Sequence, residues 1–279
     1  MERIVAYNGV VYYRSRLIPC IHGFPTRIGG ISELPHTKGL NLGVERGDSR
    51  GTVLENLGRF SDALGIDIKS VISVSQIHSA DIRFVDRDCC GEGFFKNEKE
   101  PCDGYITSIS DVTLGVRTAD CVPILLYAPP NDNFSGAVSA LHAGWRGTAL
   151  GIVRAAVSKL CQMGADASEI RAAIGPAIEP CCYCVREDFY KEFMRLAGST
   201  LTEAYVIPTG TDIWVADLKG ANRAILIDCG LSEENIDVCD RCSCCHPDEF
   251  YSNRYSKGMR GTMLSVIAMN KREEGEYNG

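Results

Sequence analysis

Residues 71–141 constrain the fold more than any other stretch of the chain. Six short β-rich runs follow one another there, at residues 71–74, 82–85, 105–107, 112–116, 122–127 and 136–141, and a helical pattern returns only at Thr148. Strands that come in succession before the helices favour an α+β arrangement over regular βαβ alternation. Two more β-rich runs, 170–174 and 236–238, lie among the later helices.

Four segments carry the helical period. In 52–64, Val53, Leu57, Phe60 and Leu64 share a face, Thr52 and Glu55 suit a capping box, and Gly65 supplies the stop. In 148–163, Leu150, Val153, Val157 and Leu160 form one apolar face, with Gly164 at the end. The segment 187–197 repeats the pattern with Phe189, Phe193 and Leu196, and Asp217 caps a helix carrying Leu218, Ala221 and Ile225. The polar stretch 89–101 reads as a surface loop and 129–133 as a turn. Neither is long enough to act as a linker between domains, so residues 1–279 are expected to form a single domain.

The composition narrows the function. With 45% hydrophobic and 23% charged residues, the chain is ordinary globular material and not disordered. A net charge of −7 lacks the footprint of a general nucleic-acid binder. The N-terminus shows no signal peptide and no apolar stretch is long enough to span a membrane, so a cytoplasmic protein is expected, with neither nucleic acid nor membrane as partner.

In such a compartment the 14 cysteines are expected to be thiols, and clusters of them read as metal or catalytic sites before disulfides. Cys181, Cys182 and Cys184 form one cluster. Cys239, Cys242, Cys244 and Cys245, followed by His246, form another. The Cys-x-x-Cys pairs Cys181/Cys184 and Cys242/Cys245 can make a four-thiol zinc site or a redox pair, or be incidental thiols in packed loops. Pro-Cys-x-x-Cys is half of the zinc deaminase signature, but none of the five histidines is followed two residues on by Glu, which removes that family. The zincin, P-loop and α/β-hydrolase motifs are absent as well.

Three other residues sit at strand ends: His78, Cys121 and His142. A His/Cys/His set can bind Zn²⁺ and leave a fourth position open, as a catalytic site needs; taken by spacing alone, two histidines and a cysteine can equally be unrelated. His142-Ala-Gly-Trp-Arg-Gly follows a strand and opens a helix, where Arg146 and the helix amides suit an anion, or form an ordinary turn with a solvated arginine. Arg27, set among glycines in His22-Gly-Phe-Pro-Thr-Arg-Ile-Gly-Gly, can hold a phosphate bidentately or lie in a surface loop.

Taken in order, these motifs resemble the YfiH-type laccase-domain family, also called purine nucleoside phosphorylases. The matching segments are the His22–Arg27 motif, Leu40-Asn-Leu-Gly, Gln76-Ile-His78, Asp103-Gly, Arg117-Thr-Ala-Asp-Cys121, His142-Ala-Gly-Trp-Arg-Gly, Ile174-Gly-Pro-Ala-Ile-Glu-Pro-Cys-Cys-Tyr and Phe250-Tyr-Ser-Asn-Arg-Tyr, which span nearly the whole chain. The resemblance implies a sandwich of mixed β-sheets flanked by helices, and zinc on His78, Cys121 and His142. It implies phosphorolysis of adenosine, inosine, guanosine and methylthioadenosine, with adenosine deamination besides, so that purine nucleosides and phosphate are the partners. Arg27 and Arg146 are then the expected anion holders, Asn41 a substrate contact, and Asp103 or Asp120 a proton carrier or the support of a metal ligand. Copper accepts the same donors, so copper-dependent phenol oxidation ranks second; a cysteine hydrolase using Cys121 and His142 is a further alternative. Cys184 and Asn253 depart from the family pattern, which bears on substrate preference.

Overall fold

The computed structural model describes residues 1–270. The chain opens with β1 (Glu2–Val5), β2 (Val11–Arg14) and β3 (Ile21–Pro25), followed by α1 (Arg50–Leu64) and β4 (Val71–Ile72). Then come β5 (Ile82–Phe84), β6 (Gly104–Thr107), β7 (Thr113–Thr118), β8 (Val122–Ala128) and β9 (Ala137–Ala143), ahead of α2 (Trp145–Leu150) and α3 (Ile152–Gln162). The remainder is β10 (Arg171–Ile174), β11 (Cys184–Val185), α4 (Glu187–Ala197), α5 (Ser199–Tyr205), β12 (Val206–Gly210), β13 (Ile213–Ala216), α6 (Leu218–Asp228), β14 (Ile236–Val238) and β15 (Met263–Ala268).

The strands assemble into two six-stranded sheets, ordered β1-β2-β3-β15-β7-β4 and β14-β10-β8-β9-β6-β5, and a small three-stranded sheet, β11-β13-β12. Both large sheets are mixed: β4 runs parallel to β7, β5 to β6 and β10 to β14, while the other pairs are antiparallel. Leu114, Val116, Met263 and Ile267 of the first sheet pack against Leu125, Val138, Ala140 and Ala173 of the second. Helix α1 covers the outer face of the first sheet with Val53, Leu57 and Phe60. Helices α3 and α6 cover the second with Val153, Val157, Leu160 and Ile225. This is the expected α+β sandwich; the expected domain boundary at 279 lies outside the described residues. No helix among those residues is long and apolar enough to cross a membrane.

Local details depart from the sequence reading. Helix α1 starts earlier than expected: Ser49 is its cap and accepts the Thr52 amide, so the Thr52–Glu55 capping box does not form, while Gly65 closes the helix in the left-handed conformation. The single helix expected over 148–163 is two, because Gly151 at φ +83° interrupts it. Strands β1–β3 and β15 escape the β-pattern. The last of these is a fully buried central strand, paired on one side with β3 and on the other with β7.

The register of the second sheet places the functional residues. Pro123 of β8 lies opposite His142 of β9 in an antiparallel pair. Cys121, just before β8, and His142, near the end of β9, therefore reach the same sheet edge. Gly104 pairs with Leu141 on the other side of β9, and Ile82 of the parallel β5 pairs with Gly104. Asp103 and the loop that carries His78 are thereby delivered to the same edge.

Candidate metal centre and its cavity

His78, Cys121 and His142 meet at that edge, with their ligand atoms all within 4.8 Å of one another; His78 is exposed, Cys121 half-buried and His142 buried. The two imidazoles meet edge to face at 4.8 Å between centroids. His142 Nδ1 bonds Asp103 Oδ1 at 2.7 Å, which leaves Nε2 free to face the other two residues. The fully buried Asp103 also accepts the backbone amides of Ile77, His78 and Ser79 and the Ser79 hydroxyl. One carboxylate thus orients one imidazole and folds the loop that presents the other, which sits at φ +60°.

Two observations show that these residues fit a metal ion. A Cβ on Gly144 would lie 2.6 Å from His78 Nδ1 and 3.2 Å from Cys121 Sγ, so the space in front of both donors depends on a glycine. The donor set, two imidazoles and a thiol, is one that Zn²⁺ and copper accept. Burial opposes a charge on His142, yet Cys121 and Asp103 push its pKa up to about 9, so a metal ion binding here would displace a proton from this imidazole. Burial likewise disfavours a charged Asp103, but hydrogen bonds from His142 and Ser79 outweigh it and hold the carboxyl below its ordinary range.

The three residues open into a cavity of about 710 Å³. Six cationic side chains line it, Arg46, Arg50, Lys96, Arg117, Arg254 and Arg260, against the carboxylates of Glu45, Glu98 and Asp120. In an acidic chain this concentration of cations marks a place for an anion. Tyr183 and Trp145 add aromatic surface.

Several expected site residues lie elsewhere. Arg27 is outside the cavity lining: its guanidinium donates to the Lys38 and Pro247 carbonyls and rests 4.6 Å from the Tyr251 ring centroid, which turns it toward the 38 and 247 loops. Asn41 is buried and outside the lining, bonded to Gly43, Asp48 and the Thr262 amide, which makes it a loop brace instead of a substrate contact. Arg146 is exposed, stacked 4.0 Å from the Trp145 ring and likewise outside the lining. Asp120 does line the cavity, at φ +97°, but Ser243 Oγ and the Arg254 amide occupy its two carboxylate oxygens. These two bonds hold the 243 and 254 loops in place beside the cavity.

The arginines that do face the cavity were within reach of sequence reading. Arg117 opens the motif that ends at Cys121, Arg254 lies in Phe250-Tyr-Ser-Asn-Arg-Tyr, and Arg46 precedes Gly47-Asp48. Arg260 stands outside these motifs. Arg254 donates to the Cys182 and Cys184 carbonyls, and Arg260 donates to Asn253 Oδ1 and Thr262 Oγ1, so both guanidiniums are aimed by fixed acceptors.

Comparison with known proteins agrees with this architecture. Residues 21–270 match the family described as "Multi-copper polyphenol oxidoreductase laccase". The chain is 36% identical over 260 residues to the purine nucleoside phosphorylase YlmD of Geobacillus stearothermophilus, covering 91% of each chain. It is 32% identical over 236 residues to an adenosine deaminase from an unknown prokaryotic organism, covering 84% of this chain and 88% of that one. The crystal structure of the Bacillus licheniformis protein YfiH superimposes with a TM-score of 0.87 at 29% identity, covering 96% of this chain and 99% of that one. The chain therefore belongs to this laccase-domain family, alongside YlmD and YfiH.

Proposed function

We propose that the protein is a zinc-dependent purine nucleoside phosphorylase acting on adenosine, inosine, guanosine and methylthioadenosine, with adenosine deamination as a second activity. The observation that carries this reading is the pairing of a His/Cys/His cluster with an arginine-rich cavity in an acidic chain. The names of the similar phosphorylase and deaminase proteins support it. His78, Cys121 and His142 would hold the metal, which supplies Lewis-acid polarisation and, for deamination, activation of a water.

The rest of the work falls to the protein's own side chains. Arg254 and Arg260 bind phosphate and orient one of its oxygens toward the anomeric carbon of the ribose. As the bond from that carbon to the purine nitrogen breaks, the new carbon–oxygen bond yields ribose-1-phosphate, and the proton of the attacking hydrogen phosphate passes to the purine, which leaves as free base. The sugar passes through an oxocarbenium-like state, so the placement of charge supplies much of the rate. Tyr183 and Trp145 offer flat apolar surface to the base. Asp103 fixes the His142 tautomer and the His78 loop. All 14 cysteines are free of disulfides, which suits the reducing cytoplasm that we propose as its location.

The family description favours a second reading, copper-dependent phenol oxidation. Against it, the described residues hold one imidazole-containing cluster, whereas four-electron reduction of oxygen calls for several coppers. The test is zinc-loaded protein incubated with inosine or adenosine, with and without phosphate. Base release that requires phosphate and forms ribose-1-phosphate is expected. Base release that ignores phosphate, or oxygen uptake with phenols in its place, would refute the proposal.

A further inference from the structure

A second group of thiols lies behind Arg254. The sulfurs of Cys181, Cys182, Cys242 and Cys245 are all within 4.8 Å of one another. Cys245 Sγ is 3.5 Å from Cys181 Sγ and 3.4 Å from Cys182 Sγ. Sulfurs bonded to one tetrahedral zinc at about 2.3 Å stand roughly 3.8 Å apart, whereas a disulfide brings them to about 2.05 Å. The observed spacing matches the metal geometry and is well outside a disulfide bond. The membership also corrects the sequence reading: Cys182 takes the place expected of Cys184, so the first pair is two adjacent cysteines and not a Cys-x-x-Cys.

The backbone prepares this arrangement. The 242–246 turn closes with the His246 amide donating to the Cys242 carbonyl at 3.3 Å. On the facing turn, the amides of Cys182 and Tyr183 both donate to the Glu179 carbonyl at 2.9 Å. Cys242 forms a parallel bridge with Ala177, and the Ser243 amide donates to the Ala177 carbonyl at 3.0 Å. The buried Lys219 ammonium clamps both turns, through the Glu179 carboxylate on one side and the Cys239 carbonyl at 2.6 Å on the other. Two loops more than 60 residues apart in sequence are thus locked with four sulfurs converging, Cys242 buried and Cys181 and Cys245 exposed, so that an ion can enter from solvent.

We propose that Cys181, Cys182, Cys242 and Cys245 form a second, structural metal site that takes one Zn²⁺ as a tetrathiolate, with the thiol protons released to solvent. Four thiolates with every position filled by protein are a closed donor set, which suits a structural site in place of a catalytic one. The ion fastens the 179–184 turn to the 242–246 turn. Because the Cys182 and Cys184 carbonyls hold Arg254, it also stiffens one wall of the cavity. This inference is independent of the nucleoside chemistry proposed above.

The test is metal stoichiometry on protein purified under reducing conditions. Wild type is expected to hold two equivalents of zinc, Cys245→Ser and Cys182→Ser one, and His78→Ala the other one. Cobalt titration of wild type gives a readout that needs no variant: a four-thiolate site produces intense thiolate-to-cobalt charge-transfer bands, well beyond what the single thiolate of Cys121 supplies. A chelator is expected to lower the Tm of His78→Ala more than that of His78→Ala/Cys245→Ser. A single equivalent that depends on Cys121, a second equivalent that survives Cys245→Ser, iron with acid-labile sulfide in place of zinc, or a disulfide between these cysteines in the reduced protein would each overturn the proposal.

Discussion

Asp103 shows how much one side chain organises: it accepts three consecutive backbone amides while bonding a buried imidazole. Asp103→Asn keeps the shape but removes the charge and presents an NH₂ where an acceptor is needed. Loss of such a support is expected to weaken metal affinity about 10–100-fold, read by competition with a chelator; unchanged affinity would mean the loop holds itself. The arginines divide in the same way. Arg260 is half-buried beside the cavity, and Arg260→Ala is expected to lower phosphate-dependent kcat/KM by roughly tenfold or more while leaving metal content intact. Arg27→Ala removes charged hydrogen bonds to the Lys38 and Pro247 carbonyls, and is expected to cost about 1–3 kcal/mol of stability with no change in the KM for phosphate. A reversed pattern in steady-state kinetics and urea denaturation would return the phosphate site to Arg27.

Among the elements, two glycines test different physics. Gly151 separates α2 from α3 at φ +83°, and the nearest atoms to a Cβ placed there are 3.8 Å away. The cost of Gly151→Ala is therefore backbone strain alone, about 1–2 kcal/mol. Gly175 follows β10 where the two sheets approach, and its Cβ would lie 2.2 Å from the ring of Phe24 in β3. Phe24 is 1% exposed and has no room to withdraw, so Gly175→Ala is expected to cost more, about 3 kcal/mol or beyond. Denaturation midpoints that rank the two the other way would show that the sheets can slide apart at that point. Helix ends such as Gly65 and the Asp217 cap are legible in the sequence because they depend on neighbours a few residues away. The Gly151 break is not, because an apolar face runs through it unaltered.

For the whole molecule, stability carries a pH signature from His22. Its Nε2 accepts the Ser15 amide, so Nδ1 carries the proton and donates to the Cys20 carbonyl. Burial lowers its pKa below the ordinary value of about 6.5. Between the two values the unfolded chain holds a proton that the folded one lacks, so stability falls as pH drops below about 6.5, by at most about 1.4 kcal/mol per pH unit. Urea unfolding at pH 7.5 and 5.5 is expected to show a smaller difference for His22→Gln than for wild type; equal differences would remove His22 as the source. The sequence alone determined the α+β class, most helix positions, and the residue types that suit a metal and an anion, because periodicity, capping and ligand chemistry are written in short stretches. Tertiary structure alone decided which of those residues meet. Asp103 reaches His142 across 39 positions and Cys182 reaches Cys245 across 63, through strand register and loop packing that no local signal encodes. For the same reason Arg27, set among glycines in a promising motif, is spent on carbonyls, while Arg260 faces the cavity: a side chain's partners are settled by the elements packed around it.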